Sequence, residues 1–219
     1  MLRVMTVNLL NGAGSPATLE RVLDEHRPHV LGAQELSANQ SEVLERHFAY
    51  GVSKPRTDNE GSALMSQLEI AVSLLPLAHR DGLVGTVDVD GSEVEVITMH
   101  LANPIDGPFG TFGERRRQVA GVVPRLTGPG HRVLMGDLNS TPAWPAYRLL
   151  TRHVDDAVAI WAAGAGVKPR RTWGWRPGWP AMLRIDHVLT SGLEATRVAV
   201  ERVDGSDHRA LIVDLEIDG

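Results

Sequence analysis

Short apolar runs alternate with amphipathic stretches along the first third of the chain. Leu2 to Leu9 reads as a strand and is followed by the loop Asn11-Gly12-Ala13-Gly14. Ser15 then suits an N-cap and Pro16 the first helical position, where its missing N–H costs nothing. Leu19, Val22 and Leu23 form the apolar stripe of that helix, which the sequence ends near Arg27-Pro28. Val30 to Gln34 is short and apolar, as a buried strand is, and Asn39 to His47 reads as a second helix with Val43 and Leu44 facing inward.

The pattern changes to period two between Phe48 and Met99. Val84 to Val89 and Glu93 to Met99 flank Asp90-Gly91, a strong hairpin signal, and Glu93 and Glu95 alternate with Val94 and Val96. A helix from about Gly113 to Leu126 is closed by Gly128-Pro129-Gly130, and Val133 to Met135 is a further buried strand. Thr141-Pro142 repeats the cap-then-proline signature and predicts a helix from there through Leu150. Arg184 to Leu189, Ala195 to Val203 and Ala210 to Ile217 complete the strands. The expectation is nine or more strands and four helices in one α/β sandwich domain over residues 1–219, with an irregular functional loop between Gly164 and Ala181.

Composition narrows the chemistry. The chain of 219 residues has no cysteine, which removes disulfides, thiolate metal sites and thiol nucleophiles. A net charge of -5 argues against a generic grip on nucleic acid, although a bound cation can still supply local positive charge to a phosphate. No apolar run approaches the ~20 residues of a membrane span. The start of the chain lacks the pattern of a secretory signal, so a cytoplasmic monomer is the expectation.

Polar fragments sit at the ends of the apolar strands. Gly136-Asp137-Leu138-Asn139 follows one and Ser206-Asp207-His208 precedes another; Asn8, Glu35, His100 and Asp186 occupy comparable places. A carboxylate with a carboxamide two positions on, and a carboxylate beside an imidazole, can hold a hard cation and move a proton. Taken singly, such residues also suit turns and helix caps.

In order, Thr6-Val7-Asn8, Gln34-Glu35, His100, Gly136-Asp137-Leu138-Asn139, Arg184-Ile185-Asp186 and Ser206-Asp207-His208 resemble the endonuclease/exonuclease/phosphatase superfamily, over residues 4 to about 213. Weaker marks are Gly61 to Ser66 and Glu114-Arg115-Arg116-Arg117-Gln118. The resemblance implies a four-layer α/β/β/α sandwich with two mixed sheets, like deoxyribonuclease I, and a magnesium-dependent phosphoesterase with its site at one end. Glu35 suits Mg²⁺ or Mn²⁺ as a hard oxygen ligand, Asp207 is a second candidate, and Asn8 either completes the site or donates its NH₂ to phosphate. The resemblance further implies that Asp137 orients or deprotonates the attacking water and that Asn139 holds the water or the phosphate. His208 would bond the phosphate with Asp186 fixing its tautomer, and His100 would add a donor. His187, adjacent to Asp186, should face away by strand alternation.

For the substrate side the sequence offers Arg115 and the segment Thr172 to Pro180, whose Trp173 and Trp175 suit stacking on a base, contact with a lipid or wrapping of a sugar. The run Asn139 to Trp144 looks closest to bacterial relatives of unassigned substrate. A phosphate-ester substrate of modest size, with no stable nucleic-acid partner, is the expectation. A non-catalytic scaffold that keeps the fold is the alternative.

Overall fold

Alternation along the strands sorts the side chains into layers. The computed structural model describes residues 1–104 and 110–217, the side chains of residues 110–112 excepted. One sheet is built from β1 (Leu2–Asn8), β2 (Val30–Gln34), β3 (Tyr50–Lys54), β4 (Ser62–Ser66), β11 (Leu193–Arg202) and β12 (Arg209–Ile217), in the order β11-β12-β1-β2-β4-β3. The other contains β5 (Ser73–Leu75), β6 (Gly82–Val89), β7 (Ser92–Thr98), β8 (His131–Asp137), β9 (Asp155–Asp156) and β10 (Asp186–Ser191), in the order β5-β6-β7-β8-β10-β9. Each sheet has one parallel pair, β1 with β2 and β7 with β8, and antiparallel neighbours elsewhere.

Leu2, Val4, Val30 and Val213 on the first sheet meet Val94, Val96, Val133, Met135 and Val188 on the second, and together they form the central core. The intervening positions point outward. Met5, Val7 and Leu31 pack under α1 (Pro16–His26) and α2 (Ala38–His47), whereas Ile97, Leu134 and Leu189 pack under α3 (Gly110–Leu126) and α4 (Pro145–Leu150). The result is the four-layer sandwich with mixed sheets. Asp90 and Gly91, both at positive φ (55° and 86°), make the tight turn between β6 and β7.

Two helix expectations are corrected. The segment after Ser140 first closes a turn, Trp144 N–H donating to Thr141 O at 2.9 Å, so α4 begins at Pro145 rather than at Pro142. A fifth helix, α5 (Ala157–Gly164), adds to the four expected; Asp156 caps it by accepting from Ala159 N–H at 2.8 Å. β10 also starts at Asp186, two residues after Arg184.

Behind β10, Asp156 holds a buried polar cluster. It accepts from Arg184 Nη1 at 2.7 Å and from Tyr147 Oη at 2.6 Å, with His187 Nδ1 3.7 Å away. Burial alone would raise its pKa, yet His187, Arg184 and Tyr147 together hold the carboxyl well below the usual carboxylate range. A depressed folded-state pKa stabilises the fold above the unfolded value, near ~4, and that contribution is lost as pH falls below it. Asp156→Ala is expected to cost about 3 kcal/mol at pH 7, because Arg184 is left buried without its partner. Urea unfolding from pH 7 down to acid checks this: the difference between wild type and variant should shrink as the pH drops, and a constant difference would speak against the charged pair.

Candidate active site

The central stripes of both sheets end in polar groups at the same end of the sandwich. On β1 the inward series Leu2, Val4, Thr6 finishes at Asn8; on β8, Val133 and Met135 lead to Asp137; on β10, Asp186 precedes Val188. Asp186 lies directly opposite Asp137 in the β8–β10 register. The β7–β8 pairing continues past the strand end through Leu101 N–H to Asp137 O at 3.0 Å, which brings His100 alongside. Gly136 permits this approach: its φ is +145°, and a Cβ there would collide with Met99 O. Beneath these groups, Gln34 joins the sheets by donating to Thr98 Oγ1 at 3.1 Å.

The contacts are close. Asn8 Nδ2 donates to Glu35 Oε1 at 3.1 Å and to Asp137 Oδ2 at 3.0 Å, and Glu35 Oε2 accepts from Asn11 N–H at 3.0 Å. Glu35 and Asn139 both occupy the left-handed region, at φ 55° and 43°, where a non-glycine residue is strained; both stand just past a strand end and turn toward the cleft. Asn139 N–H donates to Asp137 Oδ1 at 2.8 Å, and its Nδ2 donates to Leu101 O at 2.9 Å and lies 3.2 Å from His100 Nε2. His208 Nδ1 lies 2.9 Å from Asp186 Oδ2, while its Nε2 faces Asp137 Oδ2 at 3.7 Å and Asp207 Oδ1 at 3.9 Å. Ser206 locks that turn, donating to Asn8 O at 2.8 Å and accepting from His208 N–H at 3.0 Å.

The fields in the cleft follow from this crowding. Burial is the largest influence on Asp137; although His208 opposes it, Asp186 and Glu35 add to it, and the carboxyl is pushed up to about 7. Burial works against a charged His208, but Asp186, Asp137 and Asp207 outweigh it and raise the imidazole to about 10. Burial, then the guanidinium of Arg80, whose Nη1 is 2.8 Å from His100 Nδ1, and then His208 push His100 well below its ordinary range, so its ring is neutral.

Glu35, His100, Asp137, Asn139, Asp207, His208, Trp173 and Trp175 all line one cleft of about 360 Å³. Trp173 donates its Nε1–H to Asp207 Oδ2 at 2.9 Å, and Gly174 N–H donates to Asp207 O, which ties the tryptophan loop to the site. Trp175, 58% exposed, stands at the mouth with its ring 6.0 Å from that of Trp173. His187 points to the opposite face, as alternation requires, and lies 2.8 Å from Ser140 O.

Two residues stand differently from expectation. Asn8 is fully buried; its oxygen accepts from Leu10 N–H at 2.9 Å and its NH₂ is given to Glu35 and Asp137, so it braces the two carboxylates from behind the cleft. Arg115 lies outside the cleft lining, where Nη1 donates to Asn139 O at 2.8 Å and the guanidinium covers the Trp144 ring at 5.4 Å. Arg80, Asn59, Asn103 and Trp144 also line the cleft. Arg80 arrives in the turn His79-Arg80-Asp81, which carries no periodic or motif signal.

The two-sheet sandwich carries at one end an acid- and imidazole-lined cleft, a donor set chemically able to engage a phosphate ester. A family model described as Endonuclease/Exonuclease/phosphatase family matches residues 5–208, and the chain belongs to that family. Among solved structures, an endonuclease/exonuclease/phosphatase from Beutenbergia cavernae superposes with a TM-score of 0.78 at 20% identity, covering 100% of this chain and 72% of that one. The human Nocturnin catalytic domain, solved with a bound sulfate anion, gives 0.78 at 17% identity over 99% and 94% of the two chains. An AP endonuclease from Archaeoglobus fulgidus gives 0.76 at 16% identity over 99% and 100%. At these identities the likeness shows the fold. No curated protein matches the chain in sequence. Among the described residues, no helix is long and apolar enough to cross a membrane.

Proposed function

We propose that this chain is a divalent-metal-dependent phosphoesterase that cleaves a phosphodiester or phosphomonoester with an activated water. The observation that carries the reading is the convergence of Glu35, Asp137, Asp207, His100 and His208 on one cleft, with Asp186 bonded behind His208. The donor set fits a hard cation. Asp207 Oδ1 is buried with no hydrogen-bond partner, and the carboxylates of Glu35, Asp137, Asp186 and Asp207 stand in and behind the cleft against the cationic side chains of His208 and Arg80. Glu35 and Asp207 would hold Mg²⁺ or Mn²⁺. When bound, the cation offsets negative charge on the phosphoryl and leaving oxygens.

The rest falls to the side chains. Asp137, with its pKa lifted toward neutrality, takes the proton of the attacking water, and Asn139, fixed by Arg115 and Leu101, positions that water or a phosphoryl oxygen. His208 stays protonated and donates from Nε2 to the phosphate, held in orientation by Asp186 through Nδ1. His100 supplies a further polar contact, and the Asn8 amide holds Glu35 and Asp137 in place from behind. Trp144, Trp173, Leu183 and Ile185 form an apolar wall suited to a base or another flat group attached to the phosphate.

Hydrolysis of bis-p-nitrophenyl phosphate, mono-p-nitrophenyl phosphate, oligonucleotides, inositol phosphates and sphingomyelin, with Mg²⁺ or with EDTA, tests the proposal. Turnover of at least one ester is expected with Mg²⁺, with loss in EDTA and recovery when Mg²⁺ is restored. Absence of metal-dependent turnover across the panel would favour the scaffold.

A further inference from the structure

A second cleft, of about 450 Å³, lies against the first and shares Trp144 with it. Arg115, Arg116, Arg148 and Arg152 line it, and among the described residues no carboxylate does. This concentration of positive charge stands out in a chain whose net charge is -5. Arg115 is buried, and Arg116, Arg148 and Arg152 are exposed around it. Ser140, fully buried, also lines the cleft, and its Oγ has no hydrogen-bond partner. Pro145, Ala146 and Leu149 add an apolar surface between the arginines.

The two clefts are linked through one short segment. Asn139 lines the first cleft and Ser140, the next residue, lines the second. Arg115 grips the segment from behind through Asn139 O. Ser140 O is engaged by His187, so its hydroxyl is what the residue offers to a ligand. Arginine forks with a hydroxyl donor match phosphate oxygens, and an apolar surface beside them matches the organic group that the phosphate carries.

We propose that this cleft binds a second phosphate of the substrate, one link away from the phosphate being cleaved, with Arg148, Arg152, Arg116 and the Ser140 hydroxyl as its donors. The inference rests on the phosphoesterase reading and narrows it to substrates with at least two phosphates: a short nucleic-acid strand or a small polyphosphate ester.

The test uses the charge-reversed double variant R148E/R152E and, separately, Ser140→Ala. Each is compared with wild type on bis-p-nitrophenyl phosphate, which carries one phosphate, and on a short thymidine oligonucleotide. The ratio of kcat/KM for the oligonucleotide to that for the small diester should fall on the order of tenfold in the double variant and several-fold in Ser140→Ala, mainly through KM. Direct binding of the fluorescein-labelled oligonucleotide in EDTA, read by anisotropy and competed with inorganic tripolyphosphate, gives the same comparison without turnover. Weaker binding in both variants supports the cleft. Calorimetric binding of tripolyphosphate by a wild type that ignores the oligonucleotide, weakened in both variants, assigns the cleft to small polyphosphates. Equal binding of both probes by wild type and variants, or no binding of either, overturns it. Absence of hydrolysis of the small diester by wild type counts against the phosphoesterase reading, and the anisotropy arm still decides the cleft.

Discussion

Asp137→Asn is expected to lower turnover of bis-p-nitrophenyl phosphate by roughly a hundred- to ten-thousand-fold, the usual range for loss of a positioned base. The substitution keeps the shape and, through its one remaining oxygen, the bond from Asn139 N–H, turns an NH₂ toward Asn8 Nδ2 where Oδ2 stood, and removes the carboxylate proposed to accept the water's proton. It also takes one negative charge out of a crowded, buried site that contains Asp186 and Glu35. The metal-free variant should therefore melt no lower than the metal-free wild type. A loss of activity accompanied by a large drop in the melting midpoint would mean that Asp137 is structural.

His208→Ala is expected to cost roughly a hundred- to a thousand-fold in kcat, the scale for removing a donor aimed at developing charge. His208 Nε2 faces the cleft between Asp137 and Asp207, where its proton is aimed at a bound phosphate in the proposed reaction. Asp186→Asn should lie between this variant and wild type, since it leaves the imidazole present but loosely oriented. The sign of the pH effect is fixed. The raised folded-state pKa of His208 contributes stability that is complete below its unfolded value and is lost as pH rises through about 10. Full activity in Asp186→Asn would remove the orienting role.

Much of the site is legible in the sequence, for a physical reason. Strands announce themselves by alternation, and the next inward position past each apolar stripe falls in the polar cluster at the sandwich end; Asn8, Asp137 and Asp186 obey that rule, Asp137 in the cleft and the other two bonded behind it. His187 is set aside on the same ground. Helix starts are harder. Thr141-Pro142 and Trp144-Pro145 both offer a proline at a first position, and the turn closed by Trp144 N–H decides for the second. The segment Ala157 to Gly164 is too evenly apolar to show a helical stripe, so α5 is invisible to periodicity. Arg80 depends on a tertiary contact, with His100, that no local pattern encodes, whereas the Asn8 oxygen accepts from Leu10 N–H two residues on, the local bond an Asn favours at a turn.

Glu35 and its neighbouring carboxylates are proposed as a site for a hard cation at the end of the sandwich. Calorimetric titration of Mn²⁺ into wild type and into Glu35→Gln tests it without reference to any substrate. Saturable binding that weakens by about tenfold or more in the variant is the expected result. Equal affinity in the two proteins, or no binding to wild type, would contradict it.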